Sequence, residues 1–216
     1  MAAIDATWEQ RHTLADGTSL LLRPLRPGDA EALREGYEQL SSSSRYRRFL
    51  GSMPALSDEM LAYLTRVDGD AHVAIVAALE SPDLKTERGI GVGRFVRLPG
   101  EPTVAEAALT VSDSFHGRGV GKLLLSALVL IAADHGIRNF RAEVLADNTA
   151  VLALLASVGA VERPAPAGED GLRAFDIPIP GAGEGGEPRW QALYVLLRHA
   201  AVSVSQVFRQ WWDVRP

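Results

Sequence analysis

Cysteine is absent from all 216 residues. Disulfides, thiolate metal ligands and a cysteine nucleophile are therefore unavailable to this chain. Histidine is scarce, with five in all. They stand at 12, 72, 116, 135 and 199, and no two have the His-x-x-x-His spacing that puts two ligands on one helix face. No metal is expected. Positive charge is not in excess either: 22 Lys and Arg stand against 27 Asp and Glu, a net −5. General nucleic-acid binding needs a basic face, so it is not expected; a local basic pocket for a polyphosphate remains compatible. There is no Gly-x-Ser-x-Gly nucleophile elbow. The longest apolar run, 123–133, lies between Lys122 and Asp134. It is far short of the roughly 20 residues needed to span a bilayer. The first residues show no basic segment leading into an apolar one, so no signal peptide is expected. A soluble, cytoplasmic protein is the expectation.

What is present is an ordinary globular composition, 47% hydrophobic and 23% charged, enough for a sizeable core. Apolar periodicity predicts a strand over 18–25, then a helix opened by Pro27-Gly28-Asp29 with Ala32, Leu33, Tyr37 and Leu40 on one face. A short basic helix is expected at 45–49, and a helix at 57–66 with Ser57 as its N-cap. Strands follow at 71–79, 89–98 and 103–112 as an antiparallel meander, the last two joined by a Pro99-Gly100 turn. A helix over 119–136, a strand over 139–146, a helix over 148–158 closed by Gly159, and a strand over 171–179 complete the order. This predicts an α/β (α+β) fold with a mixed, mostly antiparallel sheet flanked by helices. Residues 1–180 form the expected domain, and 181–188 a Gly-rich linker. Residues 189–216 form a C-terminal amphipathic helix with Trp190, Tyr194, Phe208 and Trp211 on one face. That face has three possible partners: its own domain, a second copy in a homodimer, or a membrane. The first two are the commoner outcomes.

The densest signal is Val111-Ser112-Asp113-Ser114-Phe115-His116-Gly117-Arg118-Gly119-Val120-Gly121-Lys122. A strand ends, glycines alternate, and an apolar helix begins. Glycines let backbone approach a ligand, and the first helical N–H groups have no partner, so the segment suits an anion such as phosphate. Arg118 and Lys122 add charge. A dinucleotide fingerprint is excluded because the third glycine comes one residue early. A P-loop is excluded because Gly121-Lys122 is followed by Leu123 and the position five before Gly121 is His116.

The remaining x-x-x-Gly-x-Gly pattern over 116–121 resembles the coenzyme A pyrophosphate loop of the GCN5-related N-acetyltransferases (GNAT). His116 stands where that family has Gln or Arg. The order of elements over about 15–180 matches the same fold. The resemblance implies acetyl-CoA as co-substrate. It also implies cofactor contacts from Val111, His116, Gly117, Arg118, Gly119, Val120, Gly121 and Lys122, and from Asn148 at the start of the next helix. Many relatives place a proton-donating Tyr seven residues after that Asn; here the position is Leu155. Segments 22–29 and 41–49 look like the acetyltransferase domain of bacterial Pat-type protein lysine acetyltransferases.

Amine acylation needs a base, because an amine near pKa 10 is mostly protonated at neutral pH. Glu106 is the candidate. Strand alternation puts it with Val104, Ala108 and Thr110, opposite the apolar face of Ala105, Ala107, Leu109 and Val111. An acid among small side chains in a strand leaves room for a substrate, and it lies where Pat-type relatives carry their catalytic acid. The expected function is an N-acetyltransferase acting on an amine, either a protein lysine or a small molecule. The alternative is a non-catalytic acyl-CoA-binding or interaction module of the same fold.

Overall fold

The structure is a computed structural model and describes residues 4, 7–41, 55–80, 87–146, 149–164 and 171–179. The expected basic helix, the linker and the C-terminal helix lie outside these residues.

Eight strands form one sheet in the order β1-β2-β3-β4-β5-β6-β8-β7. They are β1 (Gln10–Thr13), β2 (Ser19–Pro24), β3 (His72–Glu80), β4 (Glu87–Leu98), β5 (Glu101–Val111), β6 (Asn139–Leu145), β7 (Val161–Arg163) and β8 (Leu172–Pro178). Every pairing is antiparallel except β5 with β6. The helices are α1 (Ala30–Glu38), α2 (Asp58–Thr65), α3 (Val120–Asp134) and α4 (Thr149–Ser157). The expected meander is β3-β4-β5, and Gly100, at φ 77, turns between its last two strands.

Two outcomes differ from the sequence-based expectation. Strands β1 and β7 appear where none was read. Both are short, and their residues are mostly exposed, so neither carries the apolar alternation that marks a strand. The helix expected from Pro27 begins instead as a 3-10 turn, Pro27–Asp29, with α1 following at Ala30. Two caps are as expected. Ser57 Oγ accepts from the Met60 amide at 3.2 Å, and Gly159, at φ 72, ends the turn after α4.

The sheet is covered on two faces. Strand β3 is buried along Val73–Ala78 because alternate residues enter different cores. Val73, Ile75 and Ala77 join Leu124, Leu125 and Leu128 of α3 in the larger core. Ala74 and Val76 pack with Leu25, Leu33 and Val92 beneath α1. Each fully buried Leu of α3 contributes roughly 1.5–3 kcal/mol. The close seat of α3 depends on Gly91 and Gly93 of β4. A Cβ at Gly91 would lie 3.0 Å from Leu124 Cδ1 and 3.1 Å from the Thr110 carbonyl oxygen.

Candidate active site

Strands β5 and β6 are parallel, but they pair only over Val104–Glu106 against Asn139–Arg141. Both continue past that point, to Val111 and Leu145. Beyond Glu106 they no longer share a ladder, and a slot opens between their C-terminal ends. Glu106 is the last residue of β5 that pairs with β6. It faces Val96 across β4 and Arg141 across β6, and it is 5% exposed.

From the open end of β5 the chain makes a 3-10 turn, Asp113–Phe115, and enters the glycine loop. Gly117 and Gly119 have φ of 76° and 90°, a backbone that side-chain-bearing residues rarely adopt. A Cβ on either would meet nothing within 4 Å, so the space above the loop is open. Gly119 is the N-cap of α3, and the first turn of that helix carries no acidic residue. Its first amides have no partner within the helix, and no acidic residue of that turn offsets the positive dipole end. Val120 and Gly121 are buried and do not face the open space above the loop, whereas Lys122 is exposed. The His116 Nε2–H donates to the Val111 carbonyl at 2.9 Å, which folds the loop back onto the end of β5. The Ser41 amide donates to Asp113 Oδ2 at 2.8 Å and ties the end of α1 to the same turn.

Arg118, expected at a phosphate, is engaged inside the chain. Its Nε and Nη2 donate to Asp16 Oδ2 at 2.9 and 2.5 Å, and Nη2 also donates to Thr18 Oγ1 at 2.9 Å. The guanidinium lies 4.6 Å from the Phe115 ring centroid. Hydrogen bonds from Thr18 and Arg118 hold the Asp16 carboxyl down at about 2.

On the face that carries Glu106, a cavity of about 140 Å³ lies between α1, α2 and the sheet. Leu33, Tyr37, Leu40 and Leu64 line its roof, and Val92, Arg94, Ala108 and Thr110 its floor. It reaches Ser112, at the start of the turn that leads to the glycine loop. Sequence reading passed over Arg94, which is 3% exposed. It stands two rungs from the Val96–Glu106 pair, opposite Ala108. Its Nη1 donates to His72 Nε2 at 2.8 Å and its Nη2 to the Leu64 carbonyl at 2.9 Å. Burial, then the Arg94 cation, lower the His72 pKa to about 4, against an opposing effect of Asp68, so the ring is neutral and can accept. Tyr63 stacks on it at 5.0 Å. The available signal was an arginine inside the apolar stretch 91–96 of β4.

A model of the acetyltransferase (GNAT) domain matches residues 19–161. The chain belongs to the GNAT acetyltransferase family. Acetyltransferase Pat of Mycolicibacterium smegmatis is 38% identical over 149 residues, which is 67% of this chain and 42% of that protein. The chain thus spans less than half the length of Pat. An acetyltransferase of Pseudomonas aeruginosa is 32% identical over 150 residues, covering 69% of this chain and 78% of that protein. Among solved structures, the GNAT domain of S. lividans PAT is similar with a TM-score of 0.63 and 30% identity, covering 81% of this chain and 98% of that domain.

GNAT acetyltransferases take their acyl group from acetyl-CoA, and this chain's residues fit that molecule. The glycine loop offers open space at Gly117 and Gly119, and the slot between β5 and β6 leads from the loop to Glu106. Asn148 lies outside the described residues. Leu155 is fully buried in the larger core, so α4 turns that position inward and offers no proton donor there. Among the described residues no helix is long and apolar enough to cross a membrane.

Proposed function

We propose that this GNAT domain transfers an acetyl group from acetyl-CoA to an amine, with a protein lysine preferred over a small molecule and Glu106 as general base. The observation that carries this reading is the place of Glu106, buried at the rung where β5 and β6 part. A pantetheine arm lying along the slot brings its thioester to that rung. The backbone of β5 beyond Glu106, up to Val111, is released from β6 and is free to hold the arm and the carbonyl oxygen. Glu106 takes a proton from the ammonium of the acceptor. The neutral nitrogen then attacks the thioester carbon, the C–N bond forms, the C–S bond breaks, and coenzyme A leaves as its thiolate, which takes up the proton that the acylated nitrogen sheds.

The loop amides around Gly117 and Gly119 bind the pyrophosphate, and Lys122 adds charge at the exposed rim. Asn148 is assigned to the cofactor arm by the family pattern. The apolar roof of the cavity beneath α1 (Leu33, Tyr37, Leu40, Leu64) suits the aliphatic stem of a lysine. The resemblance of 22–29 and 41–49 to Pat-type enzymes also supports a protein acceptor. Leu155 supplies no acid, so the thiolate departs without help from that position.

The test is thiol release from acetyl-CoA with lysine peptides and a panel of small amines. Glu106→Gln is expected to lower kcat by roughly 10²–10⁴-fold while acetyl-CoA binding, measured by calorimetry, is kept. Wild-type turnover in Glu106→Gln across the pH range removes the base. Acetyl-CoA binding without turnover on any amine favours the non-catalytic module.

A further inference from the structure

One chain of ion pairs crosses four strands beside Glu106. The Arg141 Nη1 and Nη2 donate to the two carboxylate oxygens of Glu101 at 2.6 and 2.8 Å. The Arg141 Nε donates to Asp176 Oδ1 at 2.7 Å. Arg163 Nε donates to the other oxygen of Asp176, also at 2.7 Å. Glu101 belongs to β5, Arg141 to β6, Asp176 to β8 and Arg163 to β7. Asp176 is 2% exposed. Burial pushes its carboxyl up, but Arg141 and Arg163 outweigh burial and keep it ionised.

The placement of Arg141 is specific. It is the β6 residue in register with Glu106, at the last rung before β5 and β6 part. A parallel pair of three rungs is a weak junction, and parallel pairing is slightly weaker per residue than antiparallel. Backbone bonds alone give little reason for the parting to fall at Glu106 and not a rung earlier. A bidentate arginine fork is directional and fixes two strands relative to each other. Here it draws β6 to the start of β5, on the closed side of the parting, while Asp176 anchors it from β8.

We infer that Arg141 is a positioning residue, clamped by Glu101 and Asp176, that fixes the rung at which β5 and β6 separate and thereby the depth at which the thioester meets Glu106. The inference rests on the acetyl-transfer reading for its consequence in rate. Its structural half stands apart from that reading. The Arg173–Glu162 pair is a built-in control. It is also bidentate, at 2.8 Å for both bonds, and joins β8 to β7. Arg173 is in register with Val144, a residue of the larger core, so this pair lies on the other face of the sheet.

The experiment compares the wild-type chain, Arg141→Lys and Arg173→Lys. Lysine keeps the charge and loses the fork. Hydrogen exchange is read on peptides covering 101–111 and 139–145, together with thiol release from acetyl-CoA on a lysine peptide and the thermal midpoint. Arg141→Lys is expected to exchange faster at the paired rungs. Its kcat is expected to fall roughly 10- to 100-fold, the cost of misplacing a reacting group by about an ångström. Its KM for acetyl-CoA is expected to stay within about threefold, because the loop amides still hold the phosphates. Arg173→Lys is expected to change none of these.

Unchanged exchange at the rungs in Arg141→Lys, or a wild-type kcat, overturns the inference. So does a lowered thermal midpoint with kcat retained, which marks a purely structural staple. If Arg141→Lys does not fold, Glu101→Gln loosens the same clamp and carries the same readouts. If the wild-type chain turns over no amine, the transfer reading fails, while the exchange comparison still decides where the strands part.

Discussion

Arg118 and Asp16 form an ion pair that pins the glycine loop to the β1–β2 turn, with Nη2 2.5 Å from Oδ2. The sequence separation is 102 residues. With its carboxyl held at about 2, Asp16 stays ionised at every working pH. The charge expected to meet a phosphate is thus shared with a carboxylate.

Replacing Asp16 with Asn releases that share. Acetyl-CoA is expected to bind only roughly two- to fivefold more tightly, because a solvent-exposed pair is weak. The gain is expected to shrink in high salt. Calorimetry at low and high ionic strength checks both parts; unchanged or weaker binding at low salt contradicts the prediction.

Gly119 carries φ of 90° at the N-cap of α3. Gly119→Ala forces a Cβ into this region at a cost of about 1–2 kcal/mol, paid in stability or in a reshaped loop. Acetyl-CoA affinity is expected to fall, and Gly119→Asn to fall less, since Asn tolerates such backbone better. Equal affinities for all three chains would show that the loop conformation is irrelevant to binding.

His72 predicts a pH dependence of stability. Its pKa is lowered from 6.5 to about 4 in the folded chain. As pH falls below 6.5 the unfolded chain takes up a proton that the native state refuses until about 4. Stability therefore drops across this window and levels off below it, by about 3 kcal/mol in full. His72→Gln keeps an acceptor for Arg94 without titrating. Denaturant melts at pH 7, 5.5 and 4.5 are expected to show a shallower slope for Gln than for His; parallel slopes refute the assignment.

Gly91 faces both Leu124 and the Thr110 carbonyl. The carbonyl belongs to β5 and cannot yield without moving the strand. Gly91→Ala is expected to destabilise by about 1–3 kcal/mol, measured as a lower thermal midpoint. An unchanged midpoint would mean that α3 can shift away from the sheet at no cost.

Leu155→Tyr tests the position where relatives carry a proton donor. Leu155 is fully buried, so a Tyr there overpacks the core. Destabilisation by about 1–3 kcal/mol with no gain in turnover is expected. A rise in kcat without loss of stability would place this residue at the thiol.

The order of the other strands and of the described helices, the Ser57 and Gly159 caps, the glycine loop and the place of Glu106 in its strand were legible along the chain. Each is local: apolar spacing, a capping residue, glycines at fixed offsets, or an acid in a strand of small residues. Strands β1 and β7 were not legible because their mostly exposed residues carry no such spacing. The rung where β5 and β6 part, the hold of Asp16 on Arg118, the neutral His72 under Arg94 and the four-strand clamp at Arg141 were decided only by the tertiary structure. These depend on which distant strands become neighbours and in what register. Sheet pairing sets that across 20 to over 100 residues, and no local period encodes it.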